Sequence, residues 1–173
     1  KVHDDVLASF IQVNNQYYGN AASIHAMGVE ANDLLTRART QVAQLLKAEP
    51  EHVIFTSGGT ESNNFAFYGV AAASTHKGRH VITTAVEHPC VLEAAKRLEQ
   101  QGYEVDYLSV NAQGVISLDE LRDKIRKDTV LVSMMHVNNE MGAIMPIQQA
   151  ATIIHANSRA VFHVDAIQSF GKL

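Results

Sequence analysis

The ten residues Phe55-Thr56-Ser57-Gly58-Gly59-Thr60-Glu61-Ser62-Asn63-Asn64 decide the fold of this chain. A β-prone run at 53–56 meets two glycines and a threonine just before an apolar helical pattern, which predicts a strand that turns sharply into a helix N-terminus. The unpaired N–H groups and the dipole of such a helix end attract anions, and the hydroxyls of Ser57 and Thr60 suit a phosphate. A glycine turn with Thr60 as the helix cap explains the same residues, and this stretch alone favours that simpler interpretation.

The composition is typical of a globular protein, with 173 residues of which 46% are hydrophobic and 18% charged. It predicts one domain over residues 1–173. The formal charge of -4 and the dispersed lysines and arginines argue against a nucleic acid as partner. No apolar run is long enough to span a bilayer, and the N-terminus has no signal-peptide layout, so we expect a cytoplasmic protein without membrane contact.

The cysteine and histidine content argues against disulfides and metals. Cys90 is the single cysteine, so it cannot form an internal disulfide and offers no zinc spacing. The nine histidines form no recognisable metal-ligand motif, and we therefore predict no metal site. We interpret Cys90 as a buried packing thiol rather than a reactive one.

Helical and strand patterns alternate along the chain. The first 18 residues are predicted to be helical, and a long helix capped by Ser23 is predicted to end before Pro50. Further helices are predicted at 65–75, 91–102, 118–127 and 147–156, and further strands at 80–84, 103–110, 129–135 and 160–164. This alternation predicts an α/β fold with a mostly parallel sheet and helices on both faces.

Four polar clusters each follow a predicted strand. The clusters are residues 57–60, 87–88, 138–139 and 165–168. In parallel sheets, ligands bind outside the carboxyl ends of the strands. We therefore expect one cleft, lined by the side chains of Thr60, His88, Asn139, Asp165 and Gln168.

Several motifs together resemble the signature of the cysteine desulfurases, which are pyridoxal 5'-phosphate (PLP) enzymes of the aspartate-aminotransferase-like fold. The motifs are SIHAMG at 23–28, the stretch 55–64, EH at 87–88, HVNNEMG at 136–142 and HVDAIQSFGK at 163–172. Each motif alone is weak, but their order over nearly the whole chain is specific. The resemblance implies a partial PLP-binding large domain of fold type I over residues 1–173.

The resemblance assigns the two ends of the cofactor. It implies that Gly59 and Thr60 hold the PLP phosphate, in agreement with the argument from the helix N-terminus. It implies that Asp165 pairs with the pyridine nitrogen, whose protonation makes PLP an electron sink. Without the resemblance, an aspartate at a strand end is more often a loop cap.

The resemblance also assigns three residues around the middle of the cofactor. Gln168 matches a donor to the PLP phenolate oxygen, and Asn139 matches a residue beside that oxygen and the substrate. His88 matches a histidine that stacks on the ring, where an imidazole can also move protons. Judged alone, Gln168 would be an exposed loop amide, either asparagine of the pair 138–139 could serve the turn, and His88 would be an ordinary polar group.

The sequence departs from the family pattern at Cys90 and in the segments that it lacks. Cys90 stands where the family more often has a small apolar residue, and it does not match the sulfur-accepting cysteine. Lys172 matches a strand-end lysine of the family rather than the Schiff-base lysine. The resemblance places the Schiff-base lysine, the nucleophilic cysteine and the start of the family's chain in segments that this sequence does not contain, so we expect a fragment.

The function implied for the parent protein is that of a cysteine desulfurase. Such an enzyme removes sulfur from L-cysteine, leaves alanine, and carries a persulfide to a sulfur-acceptor protein of iron–sulfur or thiolation pathways; a homodimer is expected. We expect the fragment to be inactive, and any PLP binding by it to be non-covalent, weak and dependent on Asp165.

Three other functions stay open at this point. One is a selenocysteine lyase or another class V lyase or transaminase. Another is a phosphate-ligand binding domain without catalysis, although the chain has neither G-x-G-x-x-G nor G-K-[ST] after a strand. The third is a polypeptide that only contributes an interface.

Overall fold

The computed structural model describes residues 1–173, which form two compact units. The first unit is residues 1–55 and the second is residues 56–173. No helix combines the length and the apolar character that crossing a membrane would require. The assignment of residues 1–173 to one domain stays a prediction.

The first unit is helical. It contains α1 (Asp4–Gln16), α2 (Ala26–Leu46) and a short 3-10 turn (Pro50–His52). The predicted cap of α2 is wrong: His25, not Ser23, is the N-cap, and its Nδ1 accepts the N–H of Gly28 at 3.3 Å. Ser23 lies in the preceding turn, and its carbonyl packs so closely on Gly28 that a Cβ there would collide with it.

The second unit alternates between helices and strands, as predicted. In chain order its elements are α3 (Gly59–Ala73), β1 (His80–Thr84), α4 (Pro89–Gln100), β2 (Glu104–Leu108), α5 (Leu118–Lys124), β3 (Thr129–Met135), α6 (Ile147–Asn157) and β4 (Val161–Asp165). The predicted bounds of β1 and β3 match the structure, because both strands are rich in β-branched and apolar residues and are buried along their length.

The four strands form one parallel sheet in the order β2-β1-β3-β4. The chain passes from β1 outward to β2 on one side, and from β3 outward to β4 on the other. The β1–β2 ladder extends to Thr84 and the β3–β4 ladder to Asp165, but the β1–β3 ladder ends at Ile82. The two central strands therefore part at their carboxyl ends, at the switch point where α/β sheets bind ligands.

Helices cover both faces of the sheet, which confirms the predicted fold class. Val81 and Ile82 are neighbours on β1, and their side chains belong to different core clusters. The cluster around Val81 includes Phe67 of α3 and Leu98 of α4. The cluster around Ile82 includes Leu121 of α5 and Ile154 of α6. Since side chains alternate across a strand, each cluster lies on one face.

The strand predicted at 53–56 is absent. Val53 has an extended backbone, but no strand of the sheet pairs with this segment. Its groups have other partners within the first unit: the Val53 carbonyl accepts from Nη1 of Arg39 at 3.3 Å, and the Arg39 guanidinium lies 5.5 Å from the Phe55 ring centre. A β-prone run becomes a strand only where a neighbouring strand can pair with it.

Helix α3 offers a matched pair of substitutions for testing this packing. Phe67 is fully buried, whereas Phe65 is 62% exposed. We expect Phe67→Ala to lower the free energy of unfolding by about 3–5 kcal/mol, because it leaves a cavity between α3 and the sheet. Phe65→Ala should change it by about 0.5 kcal/mol or less. Urea denaturation measures both, and equal losses would show that α3 packs through a different face.

Candidate active site

A cleft of about 340 Å³ opens at the carboxyl ends of the strands in the second unit. Its lining includes all six residues that the sequence singled out: Gly59, Thr60, His88, Asn139, Asp165 and Gln168. The other lining residues are Cys90, Met135, Val137 and Ile167. The predicted convergence on one cleft is thus confirmed, while the roles of the residues in binding stay predictions.

The N-terminus of α3 forms one end of the cleft. Gly58, not Thr60, is the N-cap, and no side chain accepts from the first N–H groups of the helix. The Ser57 hydroxyl is not free for a ligand, because it donates to Oε2 of Glu61 at 2.6 Å and so helps to lower the pKa of that carboxyl. The backbone N–H groups at Gly59 and Thr60 therefore stay available to an anion at this end.

Asp165 lies at the end of β4 and is 8% exposed. Its Oδ2 accepts from Nδ2 of Asn63 at 2.9 Å, and its Oδ1 accepts from the N–H of Ile167 at 3.0 Å. The second bond is the loop cap that the sequence left open as an alternative. The first bond holds the carboxylate against α3, so both oxygens have fixed orientations.

Asn63 was missed as a site residue by sequence reasoning. It is buried on α3, and besides Asp165 its Nδ2 contacts Sγ of Cys90 at 3.4 Å. The sequence contained a usable signal, since Asn63 follows Gly59 by four residues and so lies on the same face of the helix, one turn further in.

His88 is the N-cap of α4. Its Nδ1 accepts the N–H of Cys90 at 3.2 Å and lies 3.0 Å from Sγ of the same residue. Because Nδ1 acts as an acceptor, the neutral ring carries its proton on Nε2. Nε2 has no hydrogen-bond partner within the protein, which leaves it available to a ligand.

Cys90 is only half-buried, so its interpretation as a buried packing thiol is wrong in part. It packs against the core cluster of Val81, but it also lines the cleft and contacts His88. The reason is its place in the first turn of α4, immediately after the capping histidine. Sequence reasoning could not predict how far that turn is open to the cleft.

The two adjacent asparagines have separate tasks. Asn138 is buried and serves the turn, since its Oδ1 accepts the N–H groups of Glu140 and Met141 while its Nδ2 donates to the carbonyl of Val86 at 2.9 Å. Asn139 lines the cleft. The alternative that sequence reasoning left open is thereby decided: the turn uses Asn138, and Asn139 is left for a ligand.

Glu87 is a buried carboxyl immediately before the cleft residue His88, and it was not singled out as a site residue. Its Oε1 accepts from Oγ1 of Thr84 at 2.7 Å and from the N–H of Met135 at 2.9 Å. Its Oε2 is buried without a partner. Burial raises the pKa of Glu87 to about 7, and the negative charge of Asp165 acts in the same direction.

The residues of the cleft fit PLP. The uncapped end of α3 suits a phosphate, and the buried, oriented carboxylate of Asp165 suits a protonated pyridine nitrogen. A Cβ at Gly59 would collide with the side chain of Ile167 on the cleft wall, so glycine keeps this approach open. No three His, Cys, Asp or Glu side chains come together as a metal-binding group would require.

The raised pKa of Glu87 makes a prediction about stability. The folded protein binds this proton more tightly than the unfolded chain, so the stabilisation is present below the ordinary pKa of 4.5 and is lost as the pH rises through about 7. Relative to Glu87→Gln, the wild-type free energy of unfolding should fall by about 2 kcal/mol between about pH 5 and about pH 8. Urea denaturation at the two pH values measures this, and parallel pH profiles for the two proteins would contradict it.

The model of the aminotransferase class-V family matches residues 1–173. The chain is 48% identical over 157 residues to the cysteine desulfurase IscS of Photobacterium profundum, covering 90% of this chain and 39% of that protein. It is 44% identical over 169 residues to the mitochondrial cysteine desulfurase of Candida albicans, covering 97% of this chain and 34% of that protein.

Solved structures agree with the sequence comparison. A NifS-like protein superimposes with a TM-score of 0.94 at 40% identity, covering 98% of this chain and 47% of that chain. SspA in complex with cysteine superimposes with a TM-score of 0.89 at 37% identity, covering 98% of this chain and 48% of that chain. The chain thus spans a third to a half of the length of these relatives. By its sequence, its fold and the placement of its cleft, the chain belongs to the class-V aminotransferase family.

Proposed function

We propose that this chain forms the PLP-binding part of a cysteine desulfurase, which removes sulfur from L-cysteine and leaves alanine and an enzyme persulfide. The observation that carries the proposal is the buried carboxylate of Asp165, held by Asn63 in the same cleft as the uncapped N-terminus of α3. The similarity to proteins named cysteine desulfurase supports the choice of substrate.

The phosphate of the cofactor belongs at the N-terminus of α3. There the N–H groups at Gly59 and Thr60 bind its oxygens, and the helix dipole favours its charge. The hydroxyl of Thr60 adds a donor. Ser57 contributes by a different route, since its hydrogen bonds to Glu61 fix the loop just before the helix.

The pyridine nitrogen belongs at Asp165. When bound, PLP supplies an electron sink for the negative charge that develops at Cα of the substrate, and this requires a protonated ring nitrogen. The carboxylate of Asp165 holds that proton in place. Asn63 keeps the carboxylate turned towards the cleft, and burial strengthens the pairing of opposite charges.

The remaining polar groups surround the middle of the cofactor. The amide of Gln168 would donate a hydrogen bond to its phenolate oxygen, and Asn139 would lie beside that oxygen and the substrate. The ring of His88 would stack on the cofactor and would offer its Nε2–H as a hydrogen-bond donor, because the helix cap occupies Nδ1. The cap makes the choice of nitrogen definite, because a proton on Nδ1 would break the bond from the N–H of Cys90.

The wider features of the parent enzyme are part of the same proposal. These are a homodimer, a cytoplasmic location and a sulfur-acceptor protein of iron–sulfur or thiolation pathways. The name IscS among the relatives supports an iron–sulfur role. The location stays a prediction, because some relatives are named as mitochondrial.

Asp165 provides the test of the proposed function. Charge-assisted hydrogen bonds contribute about 1.5–3 kcal/mol each, so Asp165→Ala should weaken the binding of PLP to the chain by about tenfold to a hundredfold. PLP absorbance and ligand-induced thermal stabilisation measure the affinity. Asp119→Ala is the control, because Asp119 is an exposed carboxylate on α5 and does not line the cleft.

Two outcomes would contradict the assignment. One is equal affinity of the wild-type chain and Asp165→Ala for PLP. The other is a borohydride-reducible link between PLP and one defined lysine of this chain, because the proposal predicts non-covalent binding here.

A further inference from the structure

Glu87 and Asn138 occupy equivalent positions on either side of the parted strands. Glu87 is 5% exposed and directly precedes His88, while Asn138 is 4% exposed and directly precedes Asn139. The first residue of each pair is buried and hydrogen-bonds across the gap: Glu87 to Met135 of β3, and Asn138 to Val86 in the loop after β1. The second residue of each pair lines the cleft. The two cleft residues are therefore placed by their buried neighbours.

The bond of Glu87 takes the place of a missing ladder bond. The β1–β3 ladder ends at Ile82, although β3 continues to Met135. Beyond that point the N–H of Met135 donates to Oε1 of Glu87 instead of to a carbonyl of β1. The same oxygen accepts from Oγ1 of Thr84, the last residue of β1. One carboxyl oxygen thus joins the ends of both strands.

The surroundings of Glu87 favour its neutral form. Its Oε2 is buried and has no hydrogen-bond partner, and no lysine or arginine forms an ion pair with it. The groups that bond it, Thr84 of β1 and Met135 of β3, are uncharged. The titratable group that faces it is Asp165 at the end of β4, whose negative charge opposes a second one. An ionised Glu87 would be an uncompensated buried charge.

We propose that Glu87 is a positioning residue, a neutral carboxylic acid that bridges the parted ends of β1 and β3 and thereby holds His88 opposite Asn139. This inference takes the identity of the ligand from the proposed function, whereas the bridge itself does not depend on that function. Ionisation of Glu87 would strengthen the two hydrogen bonds to Oε1 but would leave a buried charge beside Asp165. Because burial is the larger effect, the bridged position of Glu87 loses stability, and cofactor affinity should fall as the pH rises through neutrality.

The test uses pyridoxamine 5'-phosphate, a probe that has no aldehyde and cannot react with lysines. Its fluorescence reports affinity for the wild-type chain and for Glu87→Gln, Glu87→Asp and Glu87→Ala. Glu87→Gln keeps a neutral side chain with an acceptor oxygen, so at about pH 6 its affinity should stay within about threefold of wild type. Glu87→Asp is too short to bridge and Glu87→Ala has no acceptor, so each should bind about tenfold more weakly.

The pH profile separates positioning from a purely structural role. Between about pH 6 and about pH 8 the wild-type chain should lose affinity relative to Glu87→Gln by several-fold, because only the wild-type side chain ionises. The matched control is Glu120→Ala. Like Glu87, Glu120 accepts hydrogen bonds from a backbone N–H and a hydroxyl, both of Ser109, but it does not line the cleft. Its affinity for the probe should equal that of wild type.

A second readout does not depend on any ligand. Amide hydrogen exchange of Met135 should be faster in Glu87→Ala than in wild type and stay slow in Glu87→Gln. If the wild-type chain bound no probe, the proposed function would fail. The exchange rate of the Met135 amide would still show whether Glu87 bridges β1 and β3. Unchanged exchange and affinity in Glu87→Ala would overturn the inference, as would a failure of Glu87→Gln to rescue them. If Glu87→Ala does not fold, Glu87→Asp and the pH profile carry the decision.

Discussion

The separation of β1 and β3 at their carboxyl ends is the constraint on which the rest of the site depends. A parallel ladder satisfies the backbone groups of both strands, and where it stops those groups need other partners. The β1–β3 ladder stops at Ile82, and the side chains of Glu87 and Asn138 then supply the bonds across the gap. A sheet that stayed paired to the ends of both strands would leave no space between them. The cleft lies at this edge of the sheet, where side-chain hydrogen bonds replace those of the ladder.

A second connection joins α3 to β4 across 102 residues of sequence. Asn63 and Phe67 lie one helical turn apart on α3, and Asp165 and His163 lie two residues apart on β4. Asn63 bonds to Asp165, and the Phe67 ring meets the ring of His163 edge-on at 6.1 Å. Burial lowers the pKa of His163, which favours its neutral ring in this contact. A ring contact and a polar bond thus both join α3 to β4, and the same helix carries the free N–H groups at its start.

Sequence reasoning succeeded where the decisive information was local. The β-branched residues of β1 and the apolar residues of β3 marked both as strands of the sheet. The polar residues that follow them then had to lie at one edge of a parallel sheet. It failed where a residue far along the chain determines the local structure or the role of a side chain. Residues 53–56 have strand propensity, but Arg39 rather than a strand binds them. Asn63 and Glu87 looked ordinary because their partners, Asp165 and Met135, are far along the chain. Likewise, the neighbouring sequence could not show that Asn138 bonds to the turn while Asn139 lines the cleft.

The central claim is that the cleft holds the phosphate of a pyridoxal-type cofactor at the start of α3 and its ring at Asp165. The most direct measurement is amide chemical-shift mapping by NMR, with pyridoxamine 5'-phosphate compared with pyridoxamine, which has no phosphate. We expect the phosphorylated compound to give its largest shifts at Gly59 and Thr60, together with changes near Asp165. Pyridoxamine should lose the shifts at the two helix residues while keeping weaker ones near Asp165. Largest shifts elsewhere, for example around the hollow lined by Tyr68 and Arg79, or identical maps for the two compounds, would contradict the account.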